Sequence, residues 1–420
     1  MKGIAMIRNK RGSVTIFIML FMVSLIMMSL AFIREAKNAA VRGSFGALGN
    51  LWCDSILAEY DQNLQDRYDI FAFYGLQPEI SSKLRFYAGR SVLDKRYVSM
   101  SGVNVYLAGH SLMDTDNFRK QIVRAAAFRK AGKLAGRINE FEDHGPVQPR
   151  TEGGRALMTD LPSGGTERSV SAASFRHAVE NAGSLGNIIT ESGNRYLEDQ
   201  YAFMYFKDRS DDRGLGKTYL NSEVEYLITG KKSEEKVEEG IKRKITAVRL
   251  VFNTIYAFED PEMGAEALAA AELITPGPGA EAVRALLLTG WAACESVNDY
   301  NLLISGKKVP FYKDKASWAL SLESVIKGGI KEHGDGSSPE MKEEVPCVDP
   351  HNEHGNEYQD YLKVMLFLMD ENVKLLRMMD LIQINMRYCH YADFRVREYS
   401  TGLKAVFEVN GGKYSVERSY

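Results

Sequence analysis

The sequence predicts an α+β protein in which an N-terminal transmembrane helix extends into a mainly helical exported domain, with a small antiparallel sheet that includes a C-terminal hairpin. Three observations predict it. One uncharged apolar run, Val14 to Ile33, precedes a mostly polar chain. Apolar residues then recur every three or four positions through most of the remaining chain, the spacing that lines one face of a helix. The final stretch, LKAVFEVNGGKYSVERSY, alternates instead on either side of Asn410-Gly411-Gly412, and the tolerance of glycine for positive φ makes that a hairpin signal.

The 20 residues from Val14 to Ile33 carry only the hydroxyls of Thr15, Ser24 and Ser29, which a helix satisfies on its own carbonyls. At 1.5 Å per residue that helix is roughly 30 Å long, the thickness of a bilayer's hydrocarbon core. Val14, Phe17, Leu20, Phe21, Leu25, Ile26, Leu30 and Ile33 are the expected anchor residues, and a lipid bilayer the expected partner. A secretory signal has a shorter apolar region and a small-residue cleavage site, and Ser29-Leu30-Ala31 is a poor one still inside the run. Lys2, Arg8, Lys10 and Arg11, with the amino terminus, outweigh Arg34, Lys37 and Arg42 on the other side. The expectation is a cytoplasmic tail, a single pass through the cell membrane and an extracytoplasmic bulk. The next most apolar run, Ala282 to Ala293, is too short to span and reads as a core helix.

Beyond the anchor, Val41, Phe45, Leu48, Trp52, Ile56 and Tyr60, followed by Leu64 and Tyr68, keep helical spacing, so the membrane helix is expected to continue outward. The first six form either a face for a partner helix or a face against the protein's own domain. Gly43, Gly46 and Gly49 within it mark a bend or a close approach; a bend is the preferred reading, because nothing around them is purely apolar. Val103, Val105 and Leu107 alternate as a strand, and a helix resumes near Asn117 with Phe118, Ile122, Ala126 and Ala127 on one face. Gly, Pro and charge break the pattern over 144–169, as a loop or linker would. Helices are expected at about 172–206, 221–229, 234–258, 262–273, 280–305 and 357–388, with punctuation at 275–280 and 333–356. A strand at 394–399 is a candidate third member of the hairpin sheet, which the strand at 103–107 also has the pattern to join. The domain organisation so read is 1–37 tail and anchor, 38–142 juxtamembrane α/β region, 143–171 linker, and 172–420 helical region ending in the hairpin.

All 55 acidic residues and 49 of the 53 basic ones follow the anchor, leaving a net charge near −6 and no general attraction to nucleic acid. Cys53, Cys294, Cys347 and Cys389 are too few and too spread for a disulfide scaffold or a metal knot. They read as small buried hydrophobes, with Cys294 and Cys389 as one pair able to bridge in an oxidising compartment. Gly216-Lys217-Thr218 has the end of a phosphate loop, but Asp211 stands where the pattern needs its first Gly, so a polar loop is expected. His351 and His354, with Glu353 and Glu357, cluster potential metal ligands; Asn352 occupies the place of a zincin's catalytic Glu, which favours a solvated loop. No nucleophile signature occurs, so neither enzyme activity nor a cofactor is expected. In GWAACESVNDYNLL, Glu295 and Asp299 share a helix face with Trp291 and Leu302 and have Lys307 and Lys308 downstream as candidate ion-pair partners. Trp291 and Trp318 are expected core anchors.

Several stretches also carry a family resemblance. The opening basic-GSVTIF followed by one span, DSILAEYDQNLQDRYDIFAFYG, YLNSEVEYLITGKKSEE, GWAACESVNDYNLLISGKKVPFYKDKASWALSL, DYLKVMLFLM with RMMDLIQINMR, and the terminal YSVERSY occur in this order. Together they resemble an uncharacterised family of Gram-positive bacterial membrane proteins associated with Tad (Flp) pilus assembly loci. The first 60 or so residues are also similar to the TadE and TadG pilus-assembly proteins. Processed pseudopilins carry Glu five residues after the cleaved Gly, and with Gly12 in that role Phe17 stands there instead, which favours an unprocessed anchored state. The resemblance implies a non-enzymatic accessory or minor component of a Tad-type pilus or secretion apparatus, with Gly12, Ser13 and the span positioning the exported part. The alternatives are a surface-anchored hydrolase or ligand sensor using 333–356, and an exported adhesive domain. Oligomeric state is left open.

Overall fold

A 47-residue helix, α1 (Arg11–Leu57), opens the computed structural model, which describes residues 11–92, 98–134, 157–164, 171–182, 193–210, 216–329, 347–351 and 353–420. No proline interrupts α1, and within its apolar run the Ser29 hydroxyl donates to the carbonyl of Leu25 at 2.8 Å, so the polar group is satisfied internally. The eight expected anchor residues are 45–69% exposed. Among the described residues this one helix is long and apolar enough to cross a membrane, and none of its most apolar window is buried within the protein.

From Val41 onward the same helix is buried along one side. Val41, Phe45, Trp52 and Ile56 join a core with Leu84 and Ala88 of α3 (Gln77–Val92), Val103 and Val105 of β2 (Met100–Tyr106), Leu403, Ala405 and Phe407 of β4 (Gly402–Val409) and Val416 of β5 (Gly412–Ser419). The stripe read as a possible partner-helix face is therefore occupied by the protein's own sheet: Val41, Phe45, Trp52 and Ile56 are buried, and Leu48 and Tyr60 half-buried. The helix runs unbroken through its three glycines. A Cβ on Gly49 would lie 2.9 Å from Val416 Cγ2, so close packing accounts for that glycine, whereas Gly43 and Gly46 have open space beside them. The helix stops at Leu57, short of Leu64 and Tyr68, which belong to the separate α2 (Gln62–Tyr68).

The sheet has the order β2-β4-β5, antiparallel throughout. Its hairpin closes through Asn410 (φ 50°) and Gly411 (φ 79°) between the paired Val409 and Gly412, the two positive φ values of a turn whose twist suits paired strands. The strand at 103–107 is the third member. The candidate at 394–399 is not: Val396–Glu398 is a 3-10 turn, and only Tyr399–Ser400 (β3) is extended, pairing with Phe73–Tyr74 (β1) in a separate two-stranded sheet. Side chains take up the backbone there, Arg387 Nε donating to the Phe394 carbonyl and the Val396 amide donating to Gln383 Oε1, so no ladder forms.

The chain divides into two compact, interleaved units, one of 1–61, 72–111 and 398–420, the other of 62–71 and 112–397. The C-terminal hairpin thus belongs with the first helix, a grouping that a boundary drawn along the sequence does not show. The second unit is helical among the described residues: α4 (Thr115–Leu134), α5 (Ala172–Ala182), α6 (Gly193–Tyr205), α7 (Glu223–Thr229), α8 (Glu234–Glu259), α9 (Pro261–Ile274), α10 (Ala280–Ile304), α11 (Leu322–Gly329), α12 (Tyr358–Leu368) and α13 (Glu371–Cys389). The stretch expected as one helix at 172–206 gives α5 and α6, with 183–192 outside the described residues, as is the 144–169 segment apart from 157–164.

The expected helix at 357–388 is two. Met369 is extended (ψ 155°), Asp370 Oδ1 accepts from the Val373 amide at 3.2 Å to start α13, and Arg195 Nη2 donates to the carbonyls of Phe367 and Met369 at the end of α12. Asp360 and Glu357 cap α12 at its start. At α9, Asp260 accepts from the amides of Glu262 and Met263 with Pro261 in the first turn. On α4, Phe118, Ile122 and Ala126 are buried as expected, and Ala127 is exposed.

Candidate functional site

Helical spacing puts Glu295 and Asp299 of α10 one turn apart, and both are fully buried. Their partners come from elsewhere. Arg249 of α8, also fully buried, donates through Nε to Asp299 Oδ2 at 2.9 Å and through Nη2 to Asn253 Oδ1 at 2.7 Å. Asn253, one turn further along α8, donates to Asp299 Oδ2 at 2.8 Å and to Ser296 Oγ at 3.0 Å. Lys313, on the segment after α10, pairs with Glu295 and lies 2.6 Å from Asp299 Oδ1. The expected partners Lys307 and Lys308 remain half-exposed and pair with Asp349 (3.0 Å) and Glu357 (3.2 Å) instead, because long flexible cations next to solvent keep their hydration there.

Two carboxylates and two cations thus form a neutral, sealed network. Burial works against both carboxylates. At Asp299 the charges of Arg249 and Lys313 outweigh it and hold the pKa below its ordinary value. At Glu295 burial, reinforced by the Asp299 charge, outweighs Lys313 and pushes it up. The same groups fasten a loop: Arg249 Nη1 donates to the carbonyls of Pro310 and Phe311, and Glu295 accepts from the amides of Ala319 and Leu320. Trp291 and Trp318 complete the fastening, each donating its indole N–H to the Leu320 carbonyl, with their rings edge to face at 5.9 Å.

A second set of buried charges lies along α13. Lys374 is fully buried, 2.5 Å from Asp199 and 3.3 Å from Glu198 of α6. Arg377 donates to the Leu227 and Ile228 carbonyls at the end of α7, where Gly230 is left-handed (φ 67°) and a Cβ would lie 2.6 Å from the guanidinium. Asp380 accepts from the Ser163 amide and the Tyr226 hydroxyl. Gln383 and Arg387 donate to carbonyls of Asp160, Leu157 and Thr159. One helix thereby positions α6, α7 and residues 157–164.

Adjacent in sequence to Tyr226 is Glu225, fully buried, accepting through Oε1 from the Arg209 amide and the Tyr358 hydroxyl while Oε2 has no hydrogen-bond partner among the described residues. Burial pushes its pKa up to about 7. Glu223, two residues earlier, accepts from the Lys207 amide and the Asn385 side chain.

The remaining candidates fall apart in three dimensions. Gly216 and Lys217 turn their carbonyls toward Lys207 Nζ and Arg67 Nη2, cation-accepting geometry opposite to that of a phosphate cradle. His351 is exposed, and among the described residues no group of three His, Cys, Asp or Glu side chains is placed to hold a metal. The four cysteines are free; Cys53, Cys294 and Cys389 are buried and Cys347 is exposed, so Cys294 and Cys389 form no bridge. Sequence reading missed Arg249, Asn253 and Lys313. The available signal was Arg249 itself, a lone charge inside the apolar run VRLVF.

Residues 155–411 match the model of a family of unknown function, DUF5702. The chain belongs to that family. The DUF5702 match takes in both buried networks and all of β4, and it begins beyond α1, β2 and α4. No curated protein and no solved structure matches the chain.

Proposed function

We propose that this DUF5702 protein is a membrane-anchored, non-enzymatic accessory or minor component of a Tad/Flp-type pilus or secretion apparatus, tail in the cytoplasm and bulk outside. The observation that carries this reading is the continuity of α1. One helix presents an uncovered apolar run to lipid and then enters its own core at Val41 without a break. Such a helix transmits position and orientation from the bilayer to the first unit far better than a flexible linker does. A tethered scaffold built in this way presents neighbours at the membrane surface with a defined face, which is what an assembly component supplies. The family resemblance carried by the ordered motifs gives the apparatus its name. The resemblance's first two anchoring residues, Gly12 and Ser13, lie in the first turn of α1.

The sealed networks support a structural role for the recurrent segment GWAACESVNDYNLLISGKKVPFYKDKASWALSL, since its buried charges Glu295, Asp299 and Lys313 are consumed in fastening a loop. The test is deletion of the gene in its own host with pilus number and secretion scored, together with crosslinking in intact cells from exposed Leu51. Loss of pili or secretion and capture of an assembly component are expected. Normal pili and secretion, with lowered cell attachment, would overturn the reading in favour of an adhesive domain.

A further inference from the structure

The first unit fixes how deep its hairpin lies relative to the apolar run. Strand β5 runs alongside α1 in the same direction: Tyr414 stacks on Phe45 with ring centres 6.0 Å apart, Val416 meets Gly49, and the Tyr420 hydroxyl donates to the Leu57 carbonyl. The rises agree. From Phe45 to Leu57 the helix climbs roughly 18 Å, and from Tyr414 to Tyr420 the strand climbs roughly 20 Å.

Continued downward at the same rate, the turn at Asn410 and Gly411 comes level with about Lys37 to Ala39, roughly 6–9 Å beyond Ile33. Ser99 shares that level, because its amide donates to Asn410 Oδ1 at 2.8 Å and its carbonyl accepts from the Asn410 amide at 2.9 Å. A bilayer's polar layer is roughly 5–8 Å thick on each side of its hydrocarbon core. With Ile33 at the hydrocarbon edge, the turn is at the headgroups.

The charge of this end fits the same partner. Arg34, Lys37 and Arg42 on α1 and Lys413 beside the turn are exposed. Among the described residues at this level the opposing carboxylates are Glu35 and Glu408, the latter 3.6 Å from Lys413. Exposed cations close to an anionic lipid surface are drawn to it.

We propose that the β4–β5 turn and Lys413 rest in the headgroup layer of the leaflet that α1 enters, with Lys37, Arg42 and Lys413 on the phosphates of anionic phospholipid. The first unit then has two points of attachment to the bilayer, which stops it rotating about α1. This rests on the lipid-spanning reading of α1.

The experiment uses the full chain carrying Cys347→Ser, reconstituted in vesicles, with a fluorophore on a new cysteine at Ser99, Lys404 or Leu30. Lys404 is exposed on β4 and pairs with Glu417, toward the far end of the sheet. In phosphatidylcholine vesicles doped with a headgroup-nitroxide lipid, the label at 99 is expected to be quenched and the label at 404 to keep its intensity. Adding phosphatidylglycerol should deepen quenching at 99, and Lys37→Gln, Arg42→Gln and Lys413→Gln together should remove that increment. A label at 99 as bright as that at 404, with the Leu30 label quenched by an acyl-chain nitroxide, overturns the headgroup contact and leaves the span standing. An unquenched Leu30 label overturns both. An increment at 99 that survives the triple substitution overturns the phosphate contacts.

Discussion

Arg249 donates through Nε to Asp299 Oδ2 at 2.9 Å, and neither side chain has any exposure to solvent. A charge pair so sealed is costly to break from one side, because removing one partner leaves the other uncompensated in a medium that cannot hydrate it. Asp299→Asn keeps the shape and removes the charge between Arg249 and Lys313. Its expected cost is about 3–5 kcal/mol, read by denaturant unfolding of the detergent-solubilised full chain. Lys307→Gln, at a half-exposed pair, is expected to cost no more than about 1 kcal/mol. Equal effects of the two substitutions would show that burial does not govern the network.

Glu225 gives the chain a pH dependence of definite sign. Its folded pKa, pushed up to about 7 by burial with the charge of Asp208 adding to it, lies above the ordinary value of 4.5. The folded state therefore binds more protons than the unfolded one between those values, and stability falls as pH rises from about 4.5 to about 7. Glu225→Gln imitates the protonated form. It is expected to stabilise by about 3 kcal/mol at pH 8 and to change little at pH 4. A stability difference that stays constant across this range, measured by thermal melts at several pH values, would contradict the assignment.

Gly49 and Gly46 sit one turn apart on α1 and are expected to respond in opposite directions. A methyl on Gly49 meets Val416 Cγ2 at 2.9 Å, whereas nothing lies within 4 Å of one on Gly46. Gly49→Ala should therefore destabilise by about 1–3 kcal/mol through overpacking. Gly46→Ala should stabilise by about 0.5–1 kcal/mol, because Ala loses less backbone freedom in a helix. Melting temperatures of the two variants check this, and a gain at Gly49 would mean the helix does not pack on β5.

Thiol chemistry separates the cysteines. Burial raises the thiols of Cys347 and Cys294 and pushes that of Cys53 up to about 12, but Cys347 alone of the four is exposed to reagent. Alkylation of the native chain followed by peptide mapping is expected to find Cys347 modified first, and Cys53, Cys294 and Cys389 only after unfolding. Early labelling of Cys53 would show that the core of the first unit opens.

The legible parts of this fold were those where a local pattern has one physical solution. Asn410-Gly411 between alternating residues makes a tight hairpin whatever lies around it, and Glu295 with Asp299 share a face on any helix. Lys307 and Lys308 were the nearer cations in sequence, yet water holds them, and the pair was met by Arg249 and Lys313 from other segments. The polar positions of α13 at 374, 377, 380, 383 and 387 have the spacing of a solvated face. They are buried, because each meets a backbone group or an opposite charge brought in from another segment.

The sequence by itself determined the long apolar helix, the helical spacing of the second unit and the C-terminal hairpin, because periodicity and turn chemistry act over a few residues. Tertiary structure alone decided that the hairpin closes on the first helix, that the face from Val41 to Ile56 is occupied by the chain's own sheet, and which cation meets which carboxylate. Those outcomes depend on residues distant along the chain competing with water for the same groups, and the spacing of neighbours does not encode that competition.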